Sequence, residues 1–252
     1  MLSSGSDGNA TLVASGDSSL LIDAGLSLIE LTRRMEIART GPYALDAVLI
    51  SHDHYDHVKG AVPLCRRTGV PLYASRATIK ASGLTRALPA GQVRELRPDT
   101  PFGVAGLTVT PFAVPHDTFT VGFTISDGEA TVGLATDLGS VTLDVLSHLA
   151  GCDVLVLESN HDEDMLERGP YPPHLKRRIG SPLGHLSNAD TAELVRSLGH
   201  PGLRHLVLAH LSRTNNRPEL PLQAAGEALG ECGGEVSVSL GWHDHPGELI
   251  VV

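Results

Sequence analysis

Residues 51–60 read SHDHYDHVKG, and the run before them, ALDAVLIS at 44–51, is apolar and of the length of a buried strand. Six consecutive positions, 52–57, therefore carry three imidazoles and two carboxylates where a strand ends. In an extended loop side chains alternate with period two, so His52 and His54 project to the same side and can chelate one ion. Asp56 and His57 fall at the start of the next helix, whose pattern runs over 58–68, and turn toward a second ion. A lone His-x-His would usually be a solvated loop. The spacing HxHxDH directly after a buried strand points instead to metal binding.

Working outward, the same arrangement recurs. An apolar run ends in a residue able to bind metal or move protons at AVLIS before His52, LTVTPFAVP before His116, TVGLAT before Asp137, DVLVL before Glu158 and HLVLA before His210. Loops beyond strand ends let a rigid scaffold converge side chains from distant positions, so five such ends predict one shared site. Residues 9–24 read as a β-hairpin around Gly16-Asp17, Arg33 and Arg34 lie in a predicted helix, VPLYAS at 70–75 is a further strand, and 76–100 reads as mixed helix and loop. With no fixed-period repeat and no linker, strands interspersed with helices predict a layered α/β fold, and 252 residues at 41% hydrophobic suit one domain over 1–252.

The formal net charge of −10 argues against a protein that coats DNA through a uniformly basic surface. It leaves room for a nuclease, because bound cations would supply positive charge at a site of acids and imidazoles. Cys65, Cys152 and Cys232 are odd in number and lack CxxC spacing, so neither a disulfide framework nor a thiolate zinc site is expected, and a reducing cytoplasm fits. No basic-then-apolar leader opens the sequence and no apolar stretch approaches the ~18 residues that span a bilayer, so a soluble, unexported protein is expected.

The HxHxDH stretch resembles the signature of the metallo-β-lactamase superfamily, whose fold is an αββα sandwich of two mixed β-sheets flanked by helices. His116 in VPHD, Asp137 in LATDLG and His210 in LAHLS follow in the expected order. The resemblance implies that His52, His54 and His116 bind one metal, Asp56, His57 and His210 the other, and Asp137 bridges. Two ions ~3.5–4 Å apart activate a shared water and clamp the oxygens of an in-line displacement, which makes hydrolysis the expected chemistry. Imidazole and carboxylate donors without thiolate suit zinc and also tolerate manganese or iron, so donor type alone does not fix the metal; Mn2+ or Zn2+ is expected.

Further stretches narrow the resemblance to the YycJ/WalJ group, whose members are single-strand-preferring 5′-to-3′ exodeoxyribonucleases linked to mismatch repair. They are GSDGNATLV at 5–13, SHDHYDHVKG, LESNHDEDML at 157–166, YPPHLKRRIGSPLGHLSN at 171–188 and LAHLSRTNNRPEL at 208–220. The segment SGSDGN departs slightly from the regular glycine-serine pattern of that group, which touches no expected ligand. Ser187 or Asn188 is expected to cap a helix whose start, with His185, would hold a phosphate. By resemblance to ribonuclease Z-like enzymes, His185 paired with Glu158 assists proton transfer; Asp56 is the other candidate for that step.

Lys176, Arg177 and Arg178 form the densest basic cluster, with Arg213 and Arg217 near His210. They are candidates to meet phosphates, Tyr171 or Phe112 to stack on an unpaired base, and Ser212, Asn215 and Asn216 to make polar contacts. His243 and His245 lack a following Asp-His pair and read as a surface hairpin. His148, His200 and His205 have no partner spacing, and His161 and His174 enter only through the resemblance. The rival readings are a ribonuclease Z-like or PhnP-like cyclic phosphodiesterase, a hydrolase of thioesters, lactones or β-lactams, and a non-catalytic nucleic-acid-binding protein. Basic LKRR and GHLSN speak against the second, and the filled ligand set against the third.

Overall fold

Thr11–Ser15 (β1) and Ser18–Ile22 (β2) pair antiparallel from Thr11↔Ile22 to Ser15↔Ser18, closed by a turn in which Gly16 takes φ 57°. This is the hairpin expected from the sequence. The computed structural model describes residues 1–230 and 235–252, and Cys232 lies outside the described residues. The chain divides into two units, residues 1–111 with 241–249 and residues 112–240 with 250–252.

In the first unit β2 continues into parallel pairings with β3 (Ala47–Ile50), β4 (Leu72–Ser75) and β5 (Val93–Leu96), giving the order β1-β2-β3-β4-β5 and a mixed sheet. All four residues of β3 are buried, as a parallel strand covered on both faces requires. The helices are α1 (Leu28–Ile37), α2 (Tyr55–Val58), α3 (Ala61–Thr68), α4 (Arg76–Ala81) and α5 (Leu84–Ala87). Leu31, Met35, Leu64 and Cys65 pack with Leu21, Val48, Ile50 and Leu72 in one apolar core. The expected helix over 58–68 is broken at Lys59 and Gly60. Gly60 donates its N–H to the Ala24 carbonyl at 2.7 Å, and a Cβ there would collide with the Leu26 carbonyl. Strands β6 (Phe102–Val104) and β7 (Leu107–Val114) follow, paired as a hairpin between Phe102↔Val109 and Val104↔Leu107.

The second unit is built on β8 (Thr120–Ser126), β9 (Thr131–Ala135), β10 (Val154–Glu158), β11 (His205–Ala209) and β12 (Ser237–Leu240), in the order β12-β11-β10-β9-β8-β7. β8 pairs antiparallel with β9, whereas β9, β10, β11 and β12 pair parallel with one another, so this sheet is mixed too. Its helices are α6 (Leu143–Leu149), α7 (Glu163–Arg168), α8 (Pro173–Ile179), α9 (Asn188–Leu198) and α10 (Glu219–Gly230). Among the described residues no helix is long and apolar enough to cross a membrane.

Two sequence expectations change here. Phe112 is fully buried with its ring stacked 4.9 Å from His148, so it is committed to the core and cannot stack on a base. His243 and His245 do not form a hairpin. They lie in an irregular segment of the first unit, where Arg34 donates to the His243 carbonyl at 3.0 Å and Ser4 to that of Trp242 at 2.9 Å.

Cys65 and Cys152 are free and buried, and burial pushes their thiols up to about 12 and about 11, Asp153 adding to the effect at Cys152. Because the thiolate is the reactive form, neither should react quickly at neutral pH. Titration of native protein at pH 8 with an aromatic disulfide reagent should consume at most one of the three thiols within minutes, and all three after denaturation. Rapid reaction of two in the native state would show that these sites are open.

Candidate functional site

In the first unit the histidine motif leaves β3 through Ser51 and enters α2 at Tyr55, as the strand-end reading expects. His52 and His57 are fully buried, and the His52 ring lies 4.6 Å from His54 and 4.0 Å from His57. Each buried ring is held through Nδ1. His52 Nδ1 lies 3.0 Å from Ser51 Oγ, and His57 Nδ1 lies 2.7 Å from Asp23 Oδ2. Asp23 also accepts from the Ser51 amide at 2.8 Å and from its hydroxyl. Asn9 completes the arrangement: its amide lies 2.9 Å from His57 Nε2 and donates to Asp56 Oδ2 at 3.1 Å. Its own carbonyl oxygen accepts from the Gly5 amide at 2.8 Å. Asp56 and His54 remain partly exposed.

The second unit holds a cluster of its own. His116 follows β7, Asp137 follows β9, Glu158 ends β10 and His210 follows β11. His116 Nδ1 donates to the Gly184 carbonyl at 3.0 Å. Gly184 is pressed against the carbonyls that end α8: a Cβ there would collide with those of Arg178 and Ile179, so only glycine brings this carbonyl to His116. His210 Nδ1 lies 2.9 Å and His185 Nδ1 2.7 Å from Glu158 Oε1, while Glu158 Oε2 accepts from the amides of Leu138 at 2.7 Å and Leu186 at 3.3 Å. Asp137 Oδ1 lies 3.6 Å from His210 Nε2 and 3.9 Å from His116 Nε2. Donor atoms of Asp137, Glu158, His185 and His210 all fall within 4.8 Å of one another. Asn160 donates to the His210 carbonyl at 2.8 Å.

Holding one imidazole nitrogen with a carboxylate, hydroxyl or carbonyl fixes the tautomer and turns the other nitrogen into a defined donor, the arrangement found around metal-ligating histidines. Each of the two clusters has it, and the donors are those that divalent ions accept. Backbone strain marks the same residues. Asp23, Asp137 and His210 hold φ of 59°, 55° and 57°, left-handed values that non-glycine residues adopt when the surroundings enforce them.

Glu158 is fully buried. Burial disfavours its charged form, but His185 and His210 outweigh this and hold its carboxyl well below the usual carboxylate range. At His185 burial opposes the imidazolium, yet the Glu158 carboxylate beside it leaves the ring raised above an ordinary imidazole. Glu158 thus sits behind His185 and His210 as a positioning group and cannot itself touch a substrate. His185, partly exposed, is the member of the pair that can.

The expected substrate contacts divide. Lys176 and Arg177 sit on α8, Lys176 donating from Nζ to the Glu167 carbonyl at 2.6 Å. Arg178 pairs with Asp117 at 2.5 Å. Ser187 is the N-cap of α9 in a capping box with Asp190, which commits its hydroxyl to the helix. Asn188 is buried, its side chain bonded to Ser159 and Asn216, and Asn215 is completely buried. Neither can reach a nucleic acid, a correction to the sequence expectation. Asn216 bridges the Ser159 and Asn160 carbonyls at 3.0 Å each, and Ser212 Oγ accepts from the amides of Thr214 and Asn215, so both stabilise the loop after β11.

Asp23, Asn9 and Asn160 were not singled out from the sequence. Asp23 carried the signal, because LLID at 20–23 is a sixth apolar run ending in a carboxylate.

Comparison with known proteins agrees with this architecture. The family model described as "Beta-lactamase superfamily domain" matches residues 19–211. The exodeoxyribonuclease YycJ of Bacillus anthracis is 34% identical over 97% of this chain and 93% of its own length. The exodeoxyribonuclease WalJ of Streptococcus pneumoniae serotype 2 is 36% identical over 87% of this chain and 83% of its own. Among solved structures, the metallo-beta-lactamase fold protein YhfI of Bacillus subtilis superposes with a TM-score of 0.72 at 22% identity, covering 96% of this chain and 93% of that one. This chain belongs to the metallo-β-lactamase superfamily and, within it, to the family of YycJ and WalJ. Its two mixed sheets with flanking helices are those of that fold, and it is a metal-dependent hydrolase.

Proposed function

We propose that this protein is a dinuclear phosphodiesterase that removes nucleotides from the 5′ end of single-stranded DNA in cytoplasmic mismatch repair. His52, His54 and His116 would hold one ion, Asp56, His57 and His210 the other, and Asp137 both; Mn2+ and Zn2+ suit this donor set. The observation that carries the substrate class is the 34% identity to an exodeoxyribonuclease over nearly the whole of both chains. Divalent ions held there would supply an activated water and neutralise charge on the phosphate.

The chain's own residues do the rest. Ser51, Asp23, Gly184 and Glu158 orient the ligand imidazoles through Nδ1. His185, kept protonated more readily by Glu158, would give a proton to the leaving oxygen, and Asp56 is the second candidate for that step. Arg177 offers a cation to the backbone. The second reading is a ribonuclease Z-like or cyclic phosphodiesterase, which would share the metal chemistry and differ in substrate.

Metal analysis with a chromogenic test substrate examines the shared part. Stripped protein should regain about two divalent ions per chain and, with them, hydrolysis of bis(4-nitrophenyl) phosphate. Turnover that persists undiminished after stripping would overturn the metal-dependent reading.

A further inference from the structure

The second unit contains a cavity of about 740 Å³ that shares His185 with the imidazole cluster. The His185 ring lies 5.2 Å from that of His116 and 5.1 Å from that of His210, so a ligand seated in the cavity would reach these groups at one end. A phosphate alone would leave most of such a volume empty, whereas pockets of roughly 300–1,000 Å³ enclose nucleotide-sized molecules.

The lining matches such a molecule in three ways. Leu166, Leu186 and Leu194 give it buried apolar side chains on which a planar base can pack. His161 also lines it, and although only 3% exposed it leaves Nδ1 without a hydrogen-bond partner. Buried polar atoms are rarely left so. On the rim, Arg177 and Glu163 have neither ion pair nor side-chain hydrogen bond among the described residues. The first is a cation for a phosphate, the second an acceptor for an exocyclic amine.

We infer that this cavity seats the terminal nucleotide of the strand, with base and sugar against the leucines and the phosphate toward His185 and Arg177. The inference rests on the phosphodiesterase reading and assigns that site its terminal-nucleotide pocket. It also makes a deoxynucleoside monophosphate a ligand in its own right.

Gly180 and Ser197 line the cavity without belonging to the groups named above. Gly180 has φ −83°, and a Cβ there would meet only the Lys176 carbonyl at 3.6 Å and Leu166 at 3.8 Å, both ordinary contacts. Ser197 is exposed on α9. Gly180→Trp and Ser197→Trp should therefore fold and obstruct the cavity from two positions.

Calorimetric titration with deoxyadenosine 5′-monophosphate should show binding to the wild type that inorganic phosphate does not match. Each tryptophan variant should weaken it by roughly tenfold or more. Turnover of bis(4-nitrophenyl) phosphate by both variants should stay within about twofold of the wild type, since the metal-ligand set is untouched. No binding by the wild type, undiminished binding by both variants, or equal binding of inorganic phosphate would overturn the inference. Because the titration requires no turnover, a wild type that binds the nucleotide yet hydrolyses no phosphodiester would count against the phosphodiesterase reading and leave the pocket standing.

Discussion

Asp137→Asn is expected to abolish hydrolysis while leaving the fold intact. Asp137 is buried, turned by the loop after β9 so that its carboxylate meets His116 and His210, and the loop is tied down by the Leu138 amide on Glu158. Asparagine keeps the shape and tolerates φ 55°, whereas alanine would add about 1–2 kcal/mol of left-handed strain and confuse stability with chemistry. Losing the charge proposed to hold both ions should cost more than the roughly 100- to 1,000-fold typical of one preorganised donor. Metal content per chain should fall with it. A variant that turns over bis(4-nitrophenyl) phosphate at the wild-type rate would remove Asp137 from the metal centre.

Glu158→Ala should act first on stability. It leaves two imidazoles and the amides of Leu138 and Leu186 without their acceptor in a fully buried place. Removing one partner of a buried pair costs about 3–5 kcal/mol. For a chain of this size that is a fall in Tm of roughly 10 °C, read by thermal unfolding of metal-free protein.

The pH dependence has a definite sign. Glu158, held below its ordinary value of 4.5, stabilises the fold above that pH and loses this as pH falls through the lower folded value. His185, raised above 6.5, stabilises below that pH and loses this as pH rises through the higher folded value. The gap between wild type and Glu158→Ala should therefore be widest between 4.5 and 6.5 and narrow on both sides. A Tm change under about 2 °C, or one independent of pH, would mean that the carboxylate carries little of the loop architecture.

Much of this site was legible because its chemistry sits at strand ends. A buried parallel strand must be a continuous apolar run, so AVLI, VLVL and HLVLA stand out, and whatever titratable residue follows is held by a rigid frame. The seven expected ligand positions all lie at or just beyond such ends. What stayed hidden were groups recognisable only by their partners. Asn9 is an unremarkable asparagine until its amide is seen against Asp56 and His57, and the expected pairing of Glu158 with His185 shows its full burial and its other three partners only in the folded chain.

Substrate contacts were read least well, because exposure is a tertiary property. Phe112 and Asn215 have suitable chemistry but no exposed surface. The strand β5 was missed within 76–100 for a related reason. It is an edge strand whose Arg94 and Glu95 are exposed, so it lacks the apolar run that marks the inner strands.

The proposed exonucleolytic attack on DNA from the 5′ end can be read in a time course with single-stranded DNA labelled at either terminus. Metal-stripped protein resupplied with Mn2+ or Zn2+ should release the 5′ label at once as a mononucleotide, while the 3′-labelled strand shortens stepwise. Inert DNA beside a cleaved RNA or cyclic phosphodiester would contradict a DNA exonuclease and move the protein to the rival phosphodiesterases.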